Sequence, residues 1–208
     1  MLTRTYYIAM FALSWLGFGL AALVVNAGCA VLLPFPGRRR FGPAVRAVVR
    51  GFFSLWSSWL RATRLVRIRW HGFDAVPLRG PAVWVANHPG LLDATFLLAR
   101  LPDAVCVFKP AILRNPFLAP AALLAGYIVC GDGLDFVRRS VREVSAGRTL
   151  LIFPEGTRTS VDLPLNPCRN GYALVAARAA APVQIVVIRA SRDLLPRGRP
   201  RGQRGRND

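Results

Sequence analysis

Residues 82–93 read Ala-Val-Trp-Val-Ala-Asn-His-Pro-Gly-Leu-Leu-Asp, an apolar run that turns through polar residues and glycine into a second apolar run. The first five residues are apolar without alternation, which is typical of a strand buried on both faces. Pro89 and Gly90 interrupt this run, and the residues after them have helical spacing. The stretch therefore predicts a buried strand at Ala82–Ala86 and a helix at Leu91–Leu101.

The same alternation of short apolar runs and helical stretches continues from residue 66 to residue 188. It is typical of an α/β domain, here predicted to hold a mixed, largely buried sheet flanked by helices. The other predicted strands are Val66–Trp70, Ala104–Phe108, Tyr127–Val129, Leu150–Phe153 and Val183–Ile188. The other predicted helices are Pro116–Leu124, Asp135–Ser145 and Gly171–Ala180.

The composition excludes a disordered polar chain and favours contact with a membrane. The chain has 208 residues, enough for one main domain, and 53% of them are hydrophobic. Its net charge is +18, and residues 1–70 contain ten arginines and no acid. Because the basic flanks adjoin apolar sequence, they fit an anionic membrane surface better than a nucleic-acid groove. We therefore expect a membrane lipid as partner and no nucleic acid.

Residues 5–37 are 33 consecutive positions without a charged side chain. A membrane-spanning helix needs about 20, so the length allows a tilted span or a helix that enters and returns. Arg38-Arg39-Arg40 follows and places this end on the cytoplasmic side. We therefore predict a membrane anchor at 1–40. A cleaved signal peptide is the alternative, although Asn26-Ala27-Gly28-Cys29 fits a processing site poorly.

Residues 41–65 are predicted to form an amphipathic interfacial helix, in which basic side chains are set against valine, leucine and aromatic residues. Its basic residues are Arg46, Arg50, Arg61 and Arg64. The alternative is that its apolar stripe packs on the domain's own core, and both descriptions are compatible at different ends of the helix. The predicted catalytic domain follows at 66–195, with a disordered basic tail at 196–208.

His88 follows the predicted strand and stands five residues before Asp93. If the helix begins near Pro89 or Gly90, Asp93 lies in or near its first turn and reaches back to the imidazole. A carboxylate in that place fixes the tautomer of a general base and stabilises the imidazolium. The alternative is a structural histidine, the commoner role of a lone histidine.

No protein nucleophile and no metal-ligand spacing can be recognised in the sequence. A His-Asp pair without a nucleophile suits general-base attack by a substrate hydroxyl on an activated carbonyl, such as a thioester. The cysteines have no CxxC spacing, which predicts unpaired, reduced thiols in a reducing cytoplasm. They are Cys29, Cys106, Cys130 and Cys168.

A second candidate stretch, Leu151-Ile152-Phe153-Pro154-Glu155-Gly156-Thr157-Arg158-Thr159, also runs from a strand into a turn. Gly156 lets the backbone approach a ligand closely, and the planar fork of Arg158 suits phosphate or carboxylate. Glu155 either accepts a substrate hydroxyl or holds Arg158. The alternative is a turn with one surface ion pair.

Together the two stretches resemble the glycerolipid acyltransferase family. Asn87-His88 with Asp93 is followed, 60 residues after Asp93, by Phe153-Pro154-Glu155-Gly156-Thr157-Arg158. The resemblance extends from about Val66 to Ile188. It also includes Lys109, Pro116, Gly126 to Ile128, Arg169 to Gly171, and Pro182.

The resemblance implies a membrane-bound enzyme that transfers a fatty acyl group from acyl-CoA or acyl carrier protein to a lysolipid hydroxyl, as on 1-acyl-glycerol-3-phosphate. His88 is then the base and Asp93 its partner. Main-chain N–H groups near Pro89 to Leu92 are the expected oxyanion donors. No metal or cofactor is implied, because the thioester brings its own activation. The implied location is the inner (cytoplasmic) membrane, with the catalytic domain facing the cytoplasm. The implied substrate-binding residues are Lys109, Glu155, Gly156, Thr157 and Arg158.

The sequence departs from the family pattern in three places. The second motif usually ends in an arginine thought to touch acceptor phosphate, but the corresponding place here reads Val129-Cys130-Gly131-Asp132. The fourth motif lacks its second proline and reads Gln184-Ile185-Val186. Family members usually continue well beyond the last strand, whereas residues 191–195 run into the Arg-Gly tail. A noncatalytic or truncated relative therefore stays open. A non-phosphate acceptor also stays open, because Lys109 to Ile128 resembles a branch linked to polyene lipids.

Overall fold

Two long helices precede a five-stranded sheet in the computed structural model, which describes residues 2–131, 133–160 and 162–190. The helices are α1 (Leu2–Leu32), α2 (Gly42–Ala62), α3 (Asp93–Arg100), α4 (Ala119–Leu124), α5 (Leu134–Ser145) and α6 (Gly171–Ala179). The strands are β1 (Ala82–Ala86), β2 (Ala104–Phe108), β3 (Ile128–Val129), β4 (Thr149–Ile152) and β5 (Val183–Val186). Short 3₁₀ helices lie at Arg38–Phe41, Phe73–Ala75 and Pro110–Arg114. The predicted tail at 196–208 lies outside the described residues.

The strands form one sheet in the order β3-β2-β4-β1-β5. The predicted α/β architecture is confirmed, but the expectation of a mixed sheet is wrong for the described strands, because all their pairings are parallel. A helix follows each of the first four strands and returns the chain to the same end of the sheet. Such crossovers produce parallel neighbours.

Both faces of the sheet are covered at β1, which explains the unbroken apolar run of this strand. Val83 and Val85 face a cluster built with α5 and α6. Trp84 points to the opposite face, where it packs with Leu97 and Leu98 of α3. A strand buried on both faces has no polar side to alternate with.

The prediction of a strand at Val66–Trp70 is wrong. This segment is extended but pairs with no described strand. Its apolar side chains pack beside Trp56 and Leu60 of α2 instead. Trp70 also meets Phe73 edge-on, with ring centroids 4.7 Å apart. The alternating pattern therefore comes from packing on one side rather than from a sheet ladder.

Helix α2 bears out the packing alternative for one of its sides. Val45, Val49 and Trp56 are buried against α1, α3 and α4, whereas Leu55 is exposed on the opposite side. Arg46, expected on a membrane-facing basic surface, is buried. Its Nε bonds Asp103 Oδ1 at 2.6 Å, and its Nη1 donates to the carbonyl of Ala125 at 2.7 Å.

The parallel sheet brings the predicted site residues to one edge. His88 follows β1, Lys109 follows β2, and the stretch from Phe153 to Arg158 follows β4. The carboxyl ends of parallel strands meet at the same edge, which is where ligands bind in open α/β sheets.

Candidate active site

His88 and Asp93 form a hydrogen-bonded pair at the carboxyl end of β1. Nδ1 of His88 lies 2.9 Å from Oδ2 of Asp93. Asp93 is 3% exposed, whereas the His88 side chain is 19% exposed and open to a substrate. The spacing thus predicts their contact correctly, although α3 begins at Asp93 rather than at residue 91.

Gly90 completes the support of the Asp93 carboxylate. Its N–H donates to Oδ2 of Asp93 at 2.7 Å, so this oxygen accepts hydrogen bonds from both the Gly90 N–H and Nδ1 of His88. A Cβ at residue 90 would lie 2.9 Å from Oδ1 of Asp93, too close for ordinary contact. A side chain at residue 90 would therefore displace the Asp93 carboxylate. The Gly90 N–H, one of the expected oxyanion donors, is already engaged.

The imidazole is held in one orientation by two contacts. The ring of Phe153 stacks on it, with centroids 4.3 Å apart and planes inclined by 29°. A carboxylate only accepts hydrogen bonds, so the bond to Asp93 places a proton on Nδ1. Nε2 is then the basic nitrogen.

Asn87 ties the loop of His88 to the sheet, a role the sequence did not reveal. Its Nδ2 donates to the carbonyl of Ile188 at 2.9 Å, and its Oδ1 accepts the N–H of Ile188 at 2.6 Å. The carboxamide thus imitates a peptide group and continues the β1–β5 pairing past Ala86. An asparagine directly after a buried strand is the only sequence signal for this role.

The turn after β4 passes beside His88. Gly156 adopts φ +62°, a conformation that favours glycine. Thr157 and Arg158 are half-buried, whereas Glu155 is buried and bonded to the chain itself. The main-chain N–H of His88 donates to Oε1 of Glu155 at 2.8 Å. The two predicted stretches are therefore in direct contact.

Two cavities adjoin this edge of the sheet. One, of about 300 Å³, is lined largely by apolar residues together with Cys130, Gly156 and Arg169. It includes Gly131, one of the residues in the stretch where the family's second motif usually ends in an arginine. The other, of about 360 Å³, includes Trp84, Asp93 and Phe96 in its lining. Lys109 is exposed and lines neither cavity.

The cysteines are free thiols. Burial raises the pKa of Cys106 to about 12. Burial and the nearby Glu155 carboxylate also raise the pKa of Cys168. Neither thiol is activated as a nucleophile, since activation requires a lowered pKa. Among the described residues, no group of three or more His, Cys, Asp or Glu could hold a metal ion.

The His88–Asp93 pair thus lies at the carboxyl edge of a parallel sheet, beside the turn that begins at Glu155 and carries Arg158. The chain belongs to the acyltransferase family, whose profile, described as Acyltransferase, matches residues 67–189, more than half of the chain. This confirms the family that the sequence motifs indicate.

Individual relatives agree with this assignment. The chain is 28% identical over 173 residues to the 1-acyl-sn-glycerol-3-phosphate acyltransferase of Helicobacter pylori, covering 80% of this chain and 70% of that one. It is 33% identical over 122 residues to the lyso-ornithine lipid O-acyltransferase of Pseudomonas aeruginosa, covering 57% and 46%. It spans 36% and 49% of the length of two chloroplast 1-acyl-sn-glycerol-3-phosphate acyltransferases.

The fold also matches a crystal structure. The 1-acyl-sn-glycerophosphate acyltransferase PlsC of Thermotoga maritima superimposes with a TM-score of 0.69, covering 94% of this chain and 78% of PlsC. The two sequences are 18% identical, so the match concerns the fold alone.

Proposed function

We propose that this protein is a membrane-bound O-acyltransferase that moves a fatty acyl group from acyl-CoA or acyl carrier protein to the hydroxyl of a lysolipid. The observation that carries the proposal is the His88–Asp93 pair beside the Arg158 turn. The direct test is transfer from oleoyl-CoA, or from oleoyl acyl carrier protein, to 1-oleoyl-glycerol-3-phosphate by the purified full-length chain. Absence of transfer to this and other lysolipids would leave a noncatalytic membrane protein.

In the proposed mechanism, Nε2 of His88 removes the proton of the acceptor hydroxyl while its oxygen attacks the thioester carbonyl carbon. Asp93 stabilises the imidazolium that forms. The tetrahedral oxyanion then collapses, the carbon–sulfur bond breaks, and the leaving thiolate takes up the proton. The products are the acyl ester and a free thiol. No metal or cofactor takes part in the proposal, because the thioester is already activated.

The oxyanion needs hydrogen-bond donors, and the structure narrows the choice. Pro89 has no N–H, and the Gly90 N–H is bonded to Asp93. The N–H groups of Leu91 and Leu92, just before α3, are the remaining candidates in this loop.

For the acceptor, we propose that Arg158 binds an anionic group and that Gly156 and Thr157 shape the turn. Lys109, exposed after β2, adds positive charge at the same edge of the sheet. The cavity lined by Gly156 and Arg169 adjoins this turn. Arg169 then adds positive charge near the place where the family's second motif usually supplies an arginine.

Arg158→Lys should raise the KM for 1-oleoyl-glycerol-3-phosphate on the order of tenfold, because lysine cannot reproduce a bidentate fork. The KM for oleoyl-CoA should change little. Steady-state kinetics with each substrate varied in turn gives both values. Arg138→Lys, on an exposed position of α5, is the matched control. An equal rise for donor and acceptor would contradict the assignment.

A second acceptor class has specific support. The Pseudomonas relative is named for lyso-ornithine lipid, and residues 129–131 here contain no arginine. Competition between 1-oleoyl-glycerol-3-phosphate and lyso-ornithine lipid for the purified enzyme would rank the two. Preference for an acceptor without phosphate would favour this second class.

For the membrane, we propose that α1 lies along the α/β domain in one leaflet. From Arg4 to Leu32 the helix is long and apolar enough to cross a bilayer. However, Nε1 of Trp59 in α2 donates to Oγ of Ser14 at 2.8 Å. Further along, Asn26 donates to the carbonyl of Phe117 at 2.6 Å and accepts the N–H of Ala121 at 2.9 Å. These contacts hold α1 against the domain over about 18 Å.

The surface that α1 leaves uncovered is apolar and continues into the segment before α4. The large exposed side chains on α1 include Leu16, Leu20, Val24 and Val31, and those near α4 are Leu113, Phe117 and Leu123. Exposed Arg38, Arg39 and Arg40 suit anionic headgroups beside it. This surface supports binding to the cytoplasmic leaflet of the inner membrane, with the catalytic domain in the cytoplasm.

A full-length chain with a tag at each terminus should show both tags on the same side of sealed vesicles. Protease added to the side of the catalytic domain should therefore remove both, because α1 does not cross the bilayer. Detergent-opened vesicles provide the control in which both tags are accessible. Protection of the amino-terminal tag alone would show a spanning α1.

A further inference from the structure

The Glu155 carboxylate is buried between the two loops that form the site. Glu155 is 6% exposed. Its Oε1 accepts the N–H of His88 and the hydroxyl of Thr159, both at 2.8 Å. Its Oε2 accepts the N–H of Asn166 at 3.0 Å. Three donors from separate parts of the chain thus compensate the burial of this charge.

The main chain of His88 is held on both sides by the turn that begins at Glu155. Its N–H donates to Glu155, and its carbonyl accepts the N–H of Thr159 at 2.8 Å. These bonds fix the backbone of residue 88, whereas Asp93 and Phe153 fix its ring. The position of His88 is therefore fixed by the turn that begins at Glu155 as well as by the loop after β1.

Asn166 extends the same network to Arg158. Its Nδ2 donates to the main-chain carbonyl of Arg158 at 3.0 Å, and its Oδ1 accepts the N–H of Ser160 at 3.2 Å. Since the N–H of Asn166 is bonded to Glu155, one buried network connects the base to the turn that carries Arg158.

We infer that Glu155 is a positioning residue that sets the place of His88 relative to Arg158 and does not itself contact the acceptor. This inference rests on the proposed acyl-transfer function. Three of the roughly four lone-pair sites of the carboxylate are occupied by the chain's own donors. The remaining site belongs to a residue that is only 6% exposed, so a substrate hydroxyl has little access to it. The role differs from the acceptor contact that the family resemblance implies.

Glu155→Gln in the full-length enzyme separates the two roles. An amide oxygen replaces only one carboxylate oxygen, so the amide nitrogen faces protein donors on the other side. The backbone of His88, which loses its bond to Oε1, then shifts relative to the bound acceptor, and a misplacement of about 1 Å costs on the order of 10²-fold in rate. We expect kcat to fall by that factor, while the KM for 1-oleoyl-glycerol-3-phosphate stays within about twofold. A KM raised tenfold at unchanged kcat would overturn the inference.

Thr159 supplies a milder variant that keeps the carboxylate. Thr159→Val removes one donor to Oε1 at nearly constant shape and should lower kcat about fivefold, the effect of one lost hydrogen bond. Thr159→Ser keeps the hydroxyl and should restore most of the rate. Glu143→Gln, whose carboxylate pairs with Arg148 away from the site, is the matched control. Wild-type kcat in both Thr159→Val and Glu155→Gln would overturn the inference.

Amide hydrogen exchange tests the network without turnover, so its result stands even if no acyl transfer is found. In Glu155→Gln, peptides containing His88 and Asn166 should exchange at least tenfold faster, whereas peptides of α5 should keep wild-type rates. Unchanged exchange at His88 would overturn the positioning role. Failure of transfer by the wild-type enzyme would instead count against the proposed function.

Discussion

His88→Ala is expected to abolish acyl transfer, with a loss on the order of 10³-fold or more, while the protein stays folded and membrane-bound. The substitution removes the imidazole that serves as the base in the proposed mechanism. Water does not replace it efficiently, because the acceptor hydroxyl must lose its proton as it attacks. Initial rates with oleoyl-CoA and 1-oleoyl-glycerol-3-phosphate measure the loss.

The fold should survive this substitution because the His88 backbone bonds do not involve the imidazole. Its N–H and carbonyl still bond Glu155 and Thr159. A thermal unfolding midpoint near the wild-type value would show this. His71→Ala, which removes the other, exposed histidine, should keep most of the activity. Near-wild-type turnover in His88→Ala would refute the mechanism.

The parts of the fold that the sequence predicted well depend on local pattern. The bounds of β1 and β2 agree with the prediction, because short apolar runs ended by polar residues and prolines mark buried strands. The His88–Asp93 contact was also predictable, since five residues separate the pair. The prediction of a strand at Val66–Trp70 is wrong, because an alternating pattern fits packing on one side equally well.

The sequence could not reveal contacts made between distant parts of the chain. The sequence indicates a surface position for Arg46. In the fold, this arginine is bonded to Asp103 and to the carbonyl of Ala125, which are distant in sequence. Asn166 belongs to no recognisable sequence motif. Its N–H bonds the Glu155 carboxylate, which begins a turn eleven residues earlier. Such polar networks are set by tertiary structure rather than by spacing. The sequence pattern alone does not predict these networks.

Asp93→Asn is the second substitution with a large expected effect, a fall in kcat on the order of 10²-fold or more. Oδ2 of Asp93 accepts both His88 Nδ1 and the Gly90 N–H. If the amide nitrogen of asparagine takes the place of Oδ2, it donates to Nδ1 and leaves the imidazole proton on Nε2. In that tautomer, Nε2 already carries a proton and cannot remove the proton of the substrate hydroxyl. In either orientation the carboxylate charge that stabilises the imidazolium is gone.

The same substitution should change binding much less than rate, because Asp93 is buried and in the proposed mechanism assists only the proton transfer. The KM for donor and acceptor should stay within about threefold, and the loss should appear in kcat. Asp135→Asn, which removes an exposed carboxylate paired with Arg139 on α5, is the matched control and should act like wild type. A kcat within tenfold of wild type for Asp93→Asn would mean that Asp93 only shapes the loop, and that His88 works without a charged partner.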